Sequence, residues 1–282
     1  MLSTRNHEEK NQASYNSNAA THNELGLNST LYLAYRDVPL LLDRHLFNRS
    51  VKTTYRVLDF GCGAGFSTEL ISKMIITAGH QVEIYGIDIN EQNLIFARQR
   101  VPNGNFLKVI PGEKLDSLGQ FDLIICNFVF VEMKQSSMTE ILKSIESLLN
   151  SSGIAIITNP AGKAYKRSNK WLTFNNDFDE NMPSEMRKEK IKFAEDQPIK
   201  VQVFAANGSD TSFTFFDFFH SGAAYRNAYQ EASLNLLETY KPIGKGYDEI
   251  EWRTEKQYSP YKLHVVEKAV PSKECVSIVT LS

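Results

Sequence analysis

The sequence contains little cysteine, little net charge and no long hydrophobic segment, and each shortage excludes a class of protein. Its three cysteines, Cys62, Cys126 and Cys275, form neither a C-x-x-C pair nor a cysteine–histidine spacing, so neither a disulfide framework nor a metal site is predicted. The formal net charge of -2 disfavours nucleic acid as a partner, because proteins that bind it are usually clearly basic. No apolar stretch approaches the roughly 20 residues that span a bilayer, and the N-terminus lacks the apolar core of a secretory signal. We therefore expect a cytoplasmic protein with neither a membrane nor a nucleic-acid partner.

Length and composition bound the domain organisation. A chain of 282 residues, of which 42% are hydrophobic and 23% charged, suits one large globular α/β domain with an insertion. Residues 1–25 are rich in Asn, Ser, Glu and Thr and poor in large apolar side chains, which predicts a disordered polar N-terminus. We expect the folded domain to occupy residues 26–282, with an insertion on the substrate side at about 160–215.

The segment Arg56–Phe66, with the sequence R-V-L-D-F-G-C-G-A-G-F, is the most informative part of the chain. Its apolar first half predicts a buried strand, and the alternate glycines predict a tight turn into a helix that begins near Ser67. A strand, a glycine turn and a helix N-terminus together form a nucleotide-type cofactor site, because backbone N–H groups point at the ligand. The dinucleotide fingerprint G-x-G-x-x-G does not fit, since its third glycine would fall on Phe66.

A second strand is predicted over Val82–Asn90 and carries an acidic residue near its end. A carboxylate at this position of a doubly wound sheet lies beside the cofactor crevice, so Asp88 is predicted to bind the ribose hydroxyls of an adenosine. The alternative role of Asp88 is to cap the helix predicted over Glu91–Arg100, although Asn90 is better placed for that. The inner face of this helix is predicted to carry Leu94, Ile95 and Ala97.

Strands and helices continue to alternate along the chain. Phe121–Phe130 is a continuous apolar run, as expected for a parallel strand that is buried on both faces. Met138–Leu149 is predicted to form an amphipathic helix, and Gly153–Asn159 a fifth strand. Beyond them, Val201–Phe204 and Ser212–Phe218 alternate well enough to form two paired strands.

The pattern D-x-G-x-G-x-G that begins at Asp59 resembles motif I of the class I S-adenosylmethionine-dependent methyltransferases. F-D-L-I at Phe121 resembles the start of the family's fourth strand, and Tyr261–Lys268 resembles its last strand. The resemblance extends from about Leu31 to Lys268. It implies an α/β fold with a Rossmann-like, doubly wound seven-stranded sheet whose last strand is antiparallel. It also implies an N-terminal lid helix, an insertion between strands five and six, and S-adenosylmethionine as the cofactor.

The resemblance assigns the cofactor site to residues in and around these motifs. Asn127 would face the transferable methyl group, and the planar fork of Arg36 would bind the methionine carboxylate. The alternatives are that Arg36 pairs with Asp37, and that Glu113 is a solvated loop carboxylate rather than a neighbour of adenine. The predicted cofactor residues are Tyr35, Arg36, Asp59, Phe60, Gly61, Cys62, Gly63, Gly65, Phe66, Asp88, Ile89, Glu113, Asn127 and Phe128.

Three residues are candidates for the acceptor side of the site. His220 is the candidate general base, because a histidine can accept a proton at neutral pH. Its alternative role is that of a capping or surface histidine ahead of a helix predicted over Ser221–Leu237. Trp171 and Tyr225 would shape a pocket for an aromatic acceptor, or else belong to the core.

The C-terminal half resembles that of methyltransferases that act on small metabolites. The expected function is enzymatic transfer of a methyl group from S-adenosylmethionine to a small-molecule acceptor, at oxygen or nitrogen, by in-line displacement. Two alternatives stay open at this point. One is methylation of a protein or peptide side chain, and the other is a non-catalytic regulator that binds the cofactor.

Overall fold

The computed structural model describes residues 27–49, 51–166, 169–176, 193–205 and 212–269, and the structural statements that follow concern these residues. The disorder predicted for residues 1–25 and the position of Cys275 lie outside the described residues. Within the described ranges, no helix has the length and apolar character that crossing a membrane requires.

A seven-stranded sheet forms the centre of the fold. Its strands are β1 (Thr54–Phe60), β2 (Gln81–Asp88), β3 (Asn105–Lys108), β4 (Phe121–Asn127), β5 (Leu149–Pro160), β9 (Leu234–Tyr240) and β10 (Tyr261–Lys268). Their order in the sheet is β3-β2-β1-β4-β5-β10-β9. The strands β1 to β5 pair in parallel, whereas β10 pairs antiparallel with both β5 and β9. The predicted doubly wound sheet with an antiparallel last strand is therefore confirmed.

Helices cover both faces of this sheet. They are α1 (Val38–Leu42), which a π-helical turn continues over Asp43–Phe47, α2 (Phe66–Thr77), α3 (Glu91–Arg100), α4 (Gln135–Leu148) and α5 (Gly222–Glu231). Leu41 of α1 and Ile75 of α2 share one buried cluster with Val57 of β1. Leu142 of α4 belongs to a second cluster with Leu58 of β1. Because neighbouring residues of a strand point to opposite faces, these two clusters lie on opposite sides of the sheet.

A second sheet lies in the sequence between β5 and β9, where the insertion is predicted. It contains β6 (Phe174–Asn176), β7 (Pro198–Phe204) and β8 (Ser212–Phe218), all paired antiparallel. The predicted pairing of Val201–Phe204 with Ser212–Phe218 is confirmed, with Val201 opposite Phe215. This sheet has a buried cluster of its own, which includes Trp171 and Ile199.

One buried carboxylate connects the N-terminal segment with the insertion. Glu255 Oε1 accepts hydrogen bonds from the Thr30 hydroxyl at 2.6 Å and from the Leu172 N–H group at 2.7 Å. The N–H group of Thr30 donates to Thr173 Oγ1, and the N–H group of Thr173 donates to Thr30 Oγ1. These bonds hold the N-terminal segment beside the start of β6.

The helix predicted over Ser221–Leu237 is wrong in its second half. The helix α5 ends at Glu231, Ser233 adopts a left-handed φ of 54°, and β9 begins at Leu234. A short apolar run has no periodicity that separates strand from helix, and here pairing with β10 decides the conformation.

Two smaller predictions also need correction. The strand predicted over Phe121–Phe130 ends at Asn127, because Phe128 turns out of the sheet with a φ of 59°. Ile95 is 41% exposed, whereas Leu94 is buried, so the inner face of α3 is narrower than predicted.

Candidate active site

A cavity of about 1460 Å³ opens at the carboxyl ends of β1, β2 and β4. We call one part of it the strand-end half, which contains the predicted cofactor residues Tyr35, Phe60, Gly61, Cys62, Gly63, Phe66, Asp88, Ile89, Glu113, Asn127 and Phe128. We call the other part the second-sheet half, which is lined by Tyr165, Phe174, Val201, Val203, Phe215, Asp217 and Tyr261. Ligands of open α/β sheets bind in the crevice outside these strand ends, where the strand order reverses.

Hydrogen bonds from the backbone hold the glycine turn in place. The N–H groups of Gly61 and Cys62 both donate to the carbonyl oxygen of Ile87, each at 2.9 Å. The N–H group of Gly63 donates to Asp88 Oδ2, also at 2.9 Å. The turn after β1 is thereby attached to the tip of β2.

The last glycine of the turn, Gly65, is the N-cap residue of α2 and has a left-handed φ of 81°. A Cβ atom at this position would lie 2.9 Å from the Cα atom of Ala97 in α3. Glycine is required here for two reasons. A residue with a side chain rarely adopts this backbone conformation, and α2 and α3 approach each other too closely at this point to leave room for a Cβ atom.

Asp88 stands at the tip of β2 and lines the cavity. Its Oδ1 atom accepts a hydrogen bond from the N–H group of Asn90 at 2.8 Å. Burial raises the pKa of Asp88, and the hydrogen bonds from the Asn90 and Gly63 N–H groups oppose that rise. The cap of α3 is Asn90, whose side chain accepts from the N–H group of Gln92. Capping therefore does not account for an acidic residue at Asp88.

Asp59 is buried directly behind the turn. Its Oδ2 atom accepts hydrogen bonds from the hydroxyl groups of Ser67 at 2.5 Å and Thr68 at 2.6 Å. Its Oδ1 atom is buried and has no hydrogen-bond partner among the described residues. Burial raises the pKa of Asp59 to about 6, against the effect of the two hydroxyl groups. A cationic ligand group beside Ser67, which lines the cavity, would find a carboxylate here.

Tyr35 brings the N-terminal segment over the strand-end half. Its ring meets the ring of Phe66 edge-on, with the centroids 5.8 Å apart. Burial raises the pKa of its hydroxyl group, and hydrogen bonds with Asn127 and Ser67 oppose that rise. The predicted lid thus touches both the tip of β4 and the start of α2.

Comparison with known proteins decides the family. Residues 52–213, more than half of the chain, match the family described as a methyltransferase domain. The chain belongs to the class I S-adenosylmethionine-dependent methyltransferases. Over 83 residues it is 36% identical to trans-aconitate 2-methyltransferase from Variovorax paradoxus, a match that covers 29% of this chain and 30% of that protein. The chain spans less than half of the length of the curated relatives that it matches.

Solved structures show the same fold. A methyltransferase from Clostridium acetobutylicum has a TM-score of 0.55 at 13% identity, over 84% of this chain and 92% of that chain. An amino pentose methyltransferase from Micromonospora echinaspora, solved with S-adenosylmethionine bound, has a TM-score of 0.52 at 16% identity, over 83% and 91% of the two chains. At these identities the likeness concerns the fold alone.

The strand-end half fits S-adenosylmethionine, the cofactor of this methyltransferase family. Asp88 would hold the ribose hydroxyls, and the unpartnered oxygen of Asp59 would neutralise the methionine ammonium group. A Cβ atom on Gly63 would have no atom within 4 Å, so this edge of the turn leaves room for a ligand. The cofactor would supply a methyl group that its sulfonium already activates.

The structure does not bring Arg36 to the cavity of this methyltransferase. Its Nε and Nη2 atoms donate to the two carboxylate oxygens of Asp37 at 3.0 and 2.6 Å. Its Nη1 atom donates to Asp248 Oδ2 at 2.8 Å and to the carbonyl oxygen of Ile243. The pairing with Asp37, which the sequence left open, is the one that the structure contains. Because the guanidinium fork is already paired, binding a cofactor carboxylate would require breaking these bonds.

Glu113 lies in the cavity wall, on an exposed loop. Its Oε2 atom accepts a hydrogen bond from the N–H group of Ile110 at 3.0 Å. This bond closes the loop on itself and leaves the other oxygen atom of Glu113 for solvent or adenine.

The other acceptor-side candidates lie in the core instead of the cavity wall. Trp171 is 1% exposed, donates from Nε1 to the carbonyl oxygen of Ala164 at 3.0 Å and stacks on Phe174. Tyr225 of α5 is buried against β10, where the Nζ atom of Lys262 lies 3.7 Å from the centroid of its ring. Both side chains pack against neighbouring residues, as expected if they belong to the core and do not shape an acceptor pocket.

His220 is also buried, at 6% exposure, and does not line the cavity. Its Nε2 atom lies 3.0 Å from the carbonyl oxygen of Phe130 and 2.9 Å from that of Met133. Since carbonyl oxygens only accept hydrogen bonds, Nε2 carries the hydrogen atom. His220 thereby attaches the start of α5 to the segment after β4.

This geometry favours a structural role for His220. We expect His220→Ala to lower the free energy of unfolding by about 1–3 kcal/mol, since the buried carbonyl group of Phe130 and the half-buried one of Met133 lose their donor. We expect kcat of His220→Ala to stay within tenfold of the wild-type value at every pH between 5.5 and 9, with the shape of the pH profile unchanged. Urea unfolding and kcat measured with an identified acceptor test this. A thousandfold loss of kcat in a stable variant would make His220 the base.

Sequence reasoning did not select Asp217 or Tyr165. Asp217 lies on β8 and is 3% exposed, yet it lines the cavity. The Tyr165 hydroxyl group donates to Asp217 Oδ2 at 2.7 Å. The signal available in the sequence is an aspartate within F-T-F-F-D-F, where an apolar residue would continue the alternation.

Proposed function

We propose that this protein transfers a methyl group from S-adenosylmethionine to a small-molecule acceptor, at oxygen or nitrogen, by in-line displacement. One observation carries the proposal: a single cavity joins the strand-end half to the second-sheet half. The second half is lined mainly by aromatic and aliphatic side chains, which suit the carbon frame of a small organic molecule. By their names, trans-aconitate 2-methyltransferase and the amino pentose methyltransferase also act on small molecules.

Positioning is the main task of the residues around such a donor. A bound nucleophile held in line with the donor methyl group reacts in an effectively unimolecular step. Asn127 and Tyr35, which contact each other at the tip of β4, would border the point where the two halves of the cavity meet. A base is needed only where the acceptor must lose a proton.

We expect S-adenosylmethionine and its demethylated product, S-adenosylhomocysteine, to raise the melting temperature. A ligand that binds only the folded state adds about 2.7 kcal/mol of stability at a hundredfold excess over Kd. Differential scanning fluorimetry measures the shift, and NAD is the matched control ligand because the dinucleotide glycine pattern is absent. A shift with NAD and none with S-adenosylhomocysteine contradicts the proposal.

Turnover separates the proposal from its two alternatives. The full chain is incubated with methyl-labelled S-adenosylmethionine and a cell extract that has been divided into small-molecule and protein fractions. Label in the small-molecule fraction supports the proposal, and label in the protein fraction supports a protein or peptide methyltransferase. Cofactor binding with no label in either fraction supports a non-catalytic regulator.

We further propose a cytoplasmic location. Cys62 and Cys126 are buried free thiols, a state that a reducing compartment maintains.

A further inference from the structure

Among the described residues of the second sheet that line the cavity, all but one are apolar. Val201 and Val203 of β7 and Phe215 and Asp217 of β8 line the cavity, together with Phe174 of β6. Because alternate residues of a strand share a face, Phe215 and Asp217 project from β8 in the same direction. A carboxyl group therefore interrupts an otherwise aliphatic and aromatic wall.

The carboxyl group of Asp217 is only half satisfied. Oδ2 accepts the hydrogen bond from Tyr165, whereas Oδ1 is buried with no partner among the described residues. Among the described residues, the titratable groups that face Asp217 are the hydroxyls of Tyr165, Tyr225 and Tyr261, and burial raises the pKa of each. None of them is a cation. A buried carboxylate without a cation is costly, so this position favours a ligand that brings one.

The surroundings of Asp217 fit a cation and disfavour an anion. Tyr165, Phe174, Phe215 and Tyr261 contribute aromatic rings to the same half of the cavity, and aromatic faces attract ammonium groups. Among the described residues that line the second-sheet half, none is a lysine or an arginine. A carboxylate acceptor would find no positive partner there and would face Asp217.

We propose that the acceptor is a small, largely apolar amine, and that Asp217, oriented by Tyr165, binds its ammonium group and takes up its proton. This inference rests on the proposed function and names the acceptor class. The proton leaves nitrogen for the Asp217 carboxylate, and the freed lone pair forms the new bond to the methyl carbon. The electron pair of the broken carbon–sulfur bond stays on sulfur, and Asp217 releases its proton to solvent when the product leaves.

Burial gives Asp217 a proton affinity that suits this task. It raises the pKa of the Asp217 carboxyl group to about 7, against the hydrogen bond from Tyr165, which lowers it. Such a carboxylate accepts a proton from an ammonium group more readily than an exposed aspartate does, because a base works best with a pKa near the working pH. It also makes amine binding dependent on pH, since the ionised form is the one that pairs with the cation.

Binding of matched ligands tests the inference without turnover. The probes are triplets that share a carbon frame and differ in the head group: benzylamine, benzyl alcohol and benzoate, then cyclohexylamine, cyclohexanol and cyclohexanecarboxylate. Calorimetry on protein saturated with S-adenosylhomocysteine measures each affinity. We expect the amine to bind at least tenfold more tightly than its alcohol and carboxylate partners. Failure of both amines to bind, or equal or tighter binding by an alcohol or carboxylate, overturns the inference.

Variants assign the preference to Asp217. Asp217→Asn keeps an acceptor for the Tyr165 hydroxyl but removes the charge, so amine affinity should fall at least tenfold while S-adenosylhomocysteine affinity is unchanged. Asp43→Asn removes an exposed carboxylate outside the cavity and should leave both affinities unchanged. Unchanged amine affinity in Asp217→Asn overturns the assignment.

The wild-type protein supplies a second readout if Asp217→Asn does not fold. Amine affinity should rise between pH 6 and pH 8, because the Asp217 carboxyl group, with a pKa of about 7, ionises over this range. The affinity for the alcohols should not change with pH. A flat amine profile overturns the inference. If the wild-type protein does not bind S-adenosylhomocysteine, the proposed function itself is contradicted. Failure of the amine inference and failure of the proposed function are therefore distinguishable.

Discussion

Replacing Asp88 by alanine should lower the affinity for S-adenosylhomocysteine at least tenfold while the protein stays folded. The carboxylate at the tip of β2 lines the cavity and would accept up to two hydrogen bonds from ribose hydroxyls. Hydrogen bonds to a charged group are worth about 1.5–3 kcal/mol each, and about 1.4 kcal/mol corresponds to a tenfold change in Kd. Isothermal titration calorimetry of both proteins measures the loss.

The ligand can be varied to separate the ribose contact from an effect on the turn. Asp88 also accepts a hydrogen bond from the N–H group of Gly63, so removal of the carboxylate could loosen the glycine turn. An analogue of S-adenosylhomocysteine that lacks the 2′- and 3′-hydroxyl groups has no bond to lose at Asp88. It should bind the wild type and Asp88→Ala equally. Glu113→Ala, which removes another carboxylate from the cavity wall, should change Kd less than Asp88→Ala does. If Asp88→Ala weakens both ligands alike, the ribose role is rejected.

Replacing Gly65 by alanine should lower the free energy of unfolding by about 2–5 kcal/mol. An L residue in a left-handed conformation costs about 1–2 kcal/mol, and the φ of Gly65 is 81°. The new Cβ atom would lie 2.9 Å from a backbone atom of Ala97, and overpacking of this kind costs about 1–3 kcal/mol more. Backbone cannot yield as a flexible side chain can, so α2 and α3 must move apart. Urea unfolding measures the change.

Gly79→Ala is the control for the strain alone. Gly79 follows α2 with a φ of 89°, and a Cβ atom there would have no atom within 4 Å. We expect a loss of about 1–2 kcal/mol from the left-handed backbone. Equal losses in the two variants would show that the contact between α2 and α3 at Gly65 does not matter.

The strands and the turn that form the strand-end half of the cavity could be predicted from the sequence, because their sequence signals are local. Asp59 to Gly65 forms a motif within seven consecutive residues, and the order of strands and helices around it follows from apolar runs. Parallel strands buried on both faces are continuous in hydrophobicity, so β4 could be recognised with an error of three residues at its end. The acidic residue at the end of β2 could be recognised because it also follows a largely apolar run.

The sequence is weaker wherever long-range contacts decide the conformation. The residues of β9 carry apolar side chains that suit a helix or a strand, and pairing with β10 selects the strand. Arg36 has the fork of a carboxylate ligand, but whether it binds Asp37 or a cofactor depends on where residues 243–248 bring Asp248. His220 carries a suitable titratable group, yet its direction is decided by two carbonyl groups about 90 positions earlier in the chain.

The sequence by itself determined the family, the cofactor class and the strand-end half of the site, because these depend on motifs whose residues are neighbours along the chain. Only the tertiary structure showed the second-sheet half. Tyr165 and Asp217 are 52 positions apart and meet because an inserted sheet folds over the end of the central one. An aspartate within a strand can serve many roles. The tertiary structure shows that Asp217 is buried in an aromatic wall, where its second oxygen atom has no partner among the described residues. The second-sheet half of the cavity therefore depends on packing between distant segments, which a local pattern such as F-T-F-F-D-F does not specify.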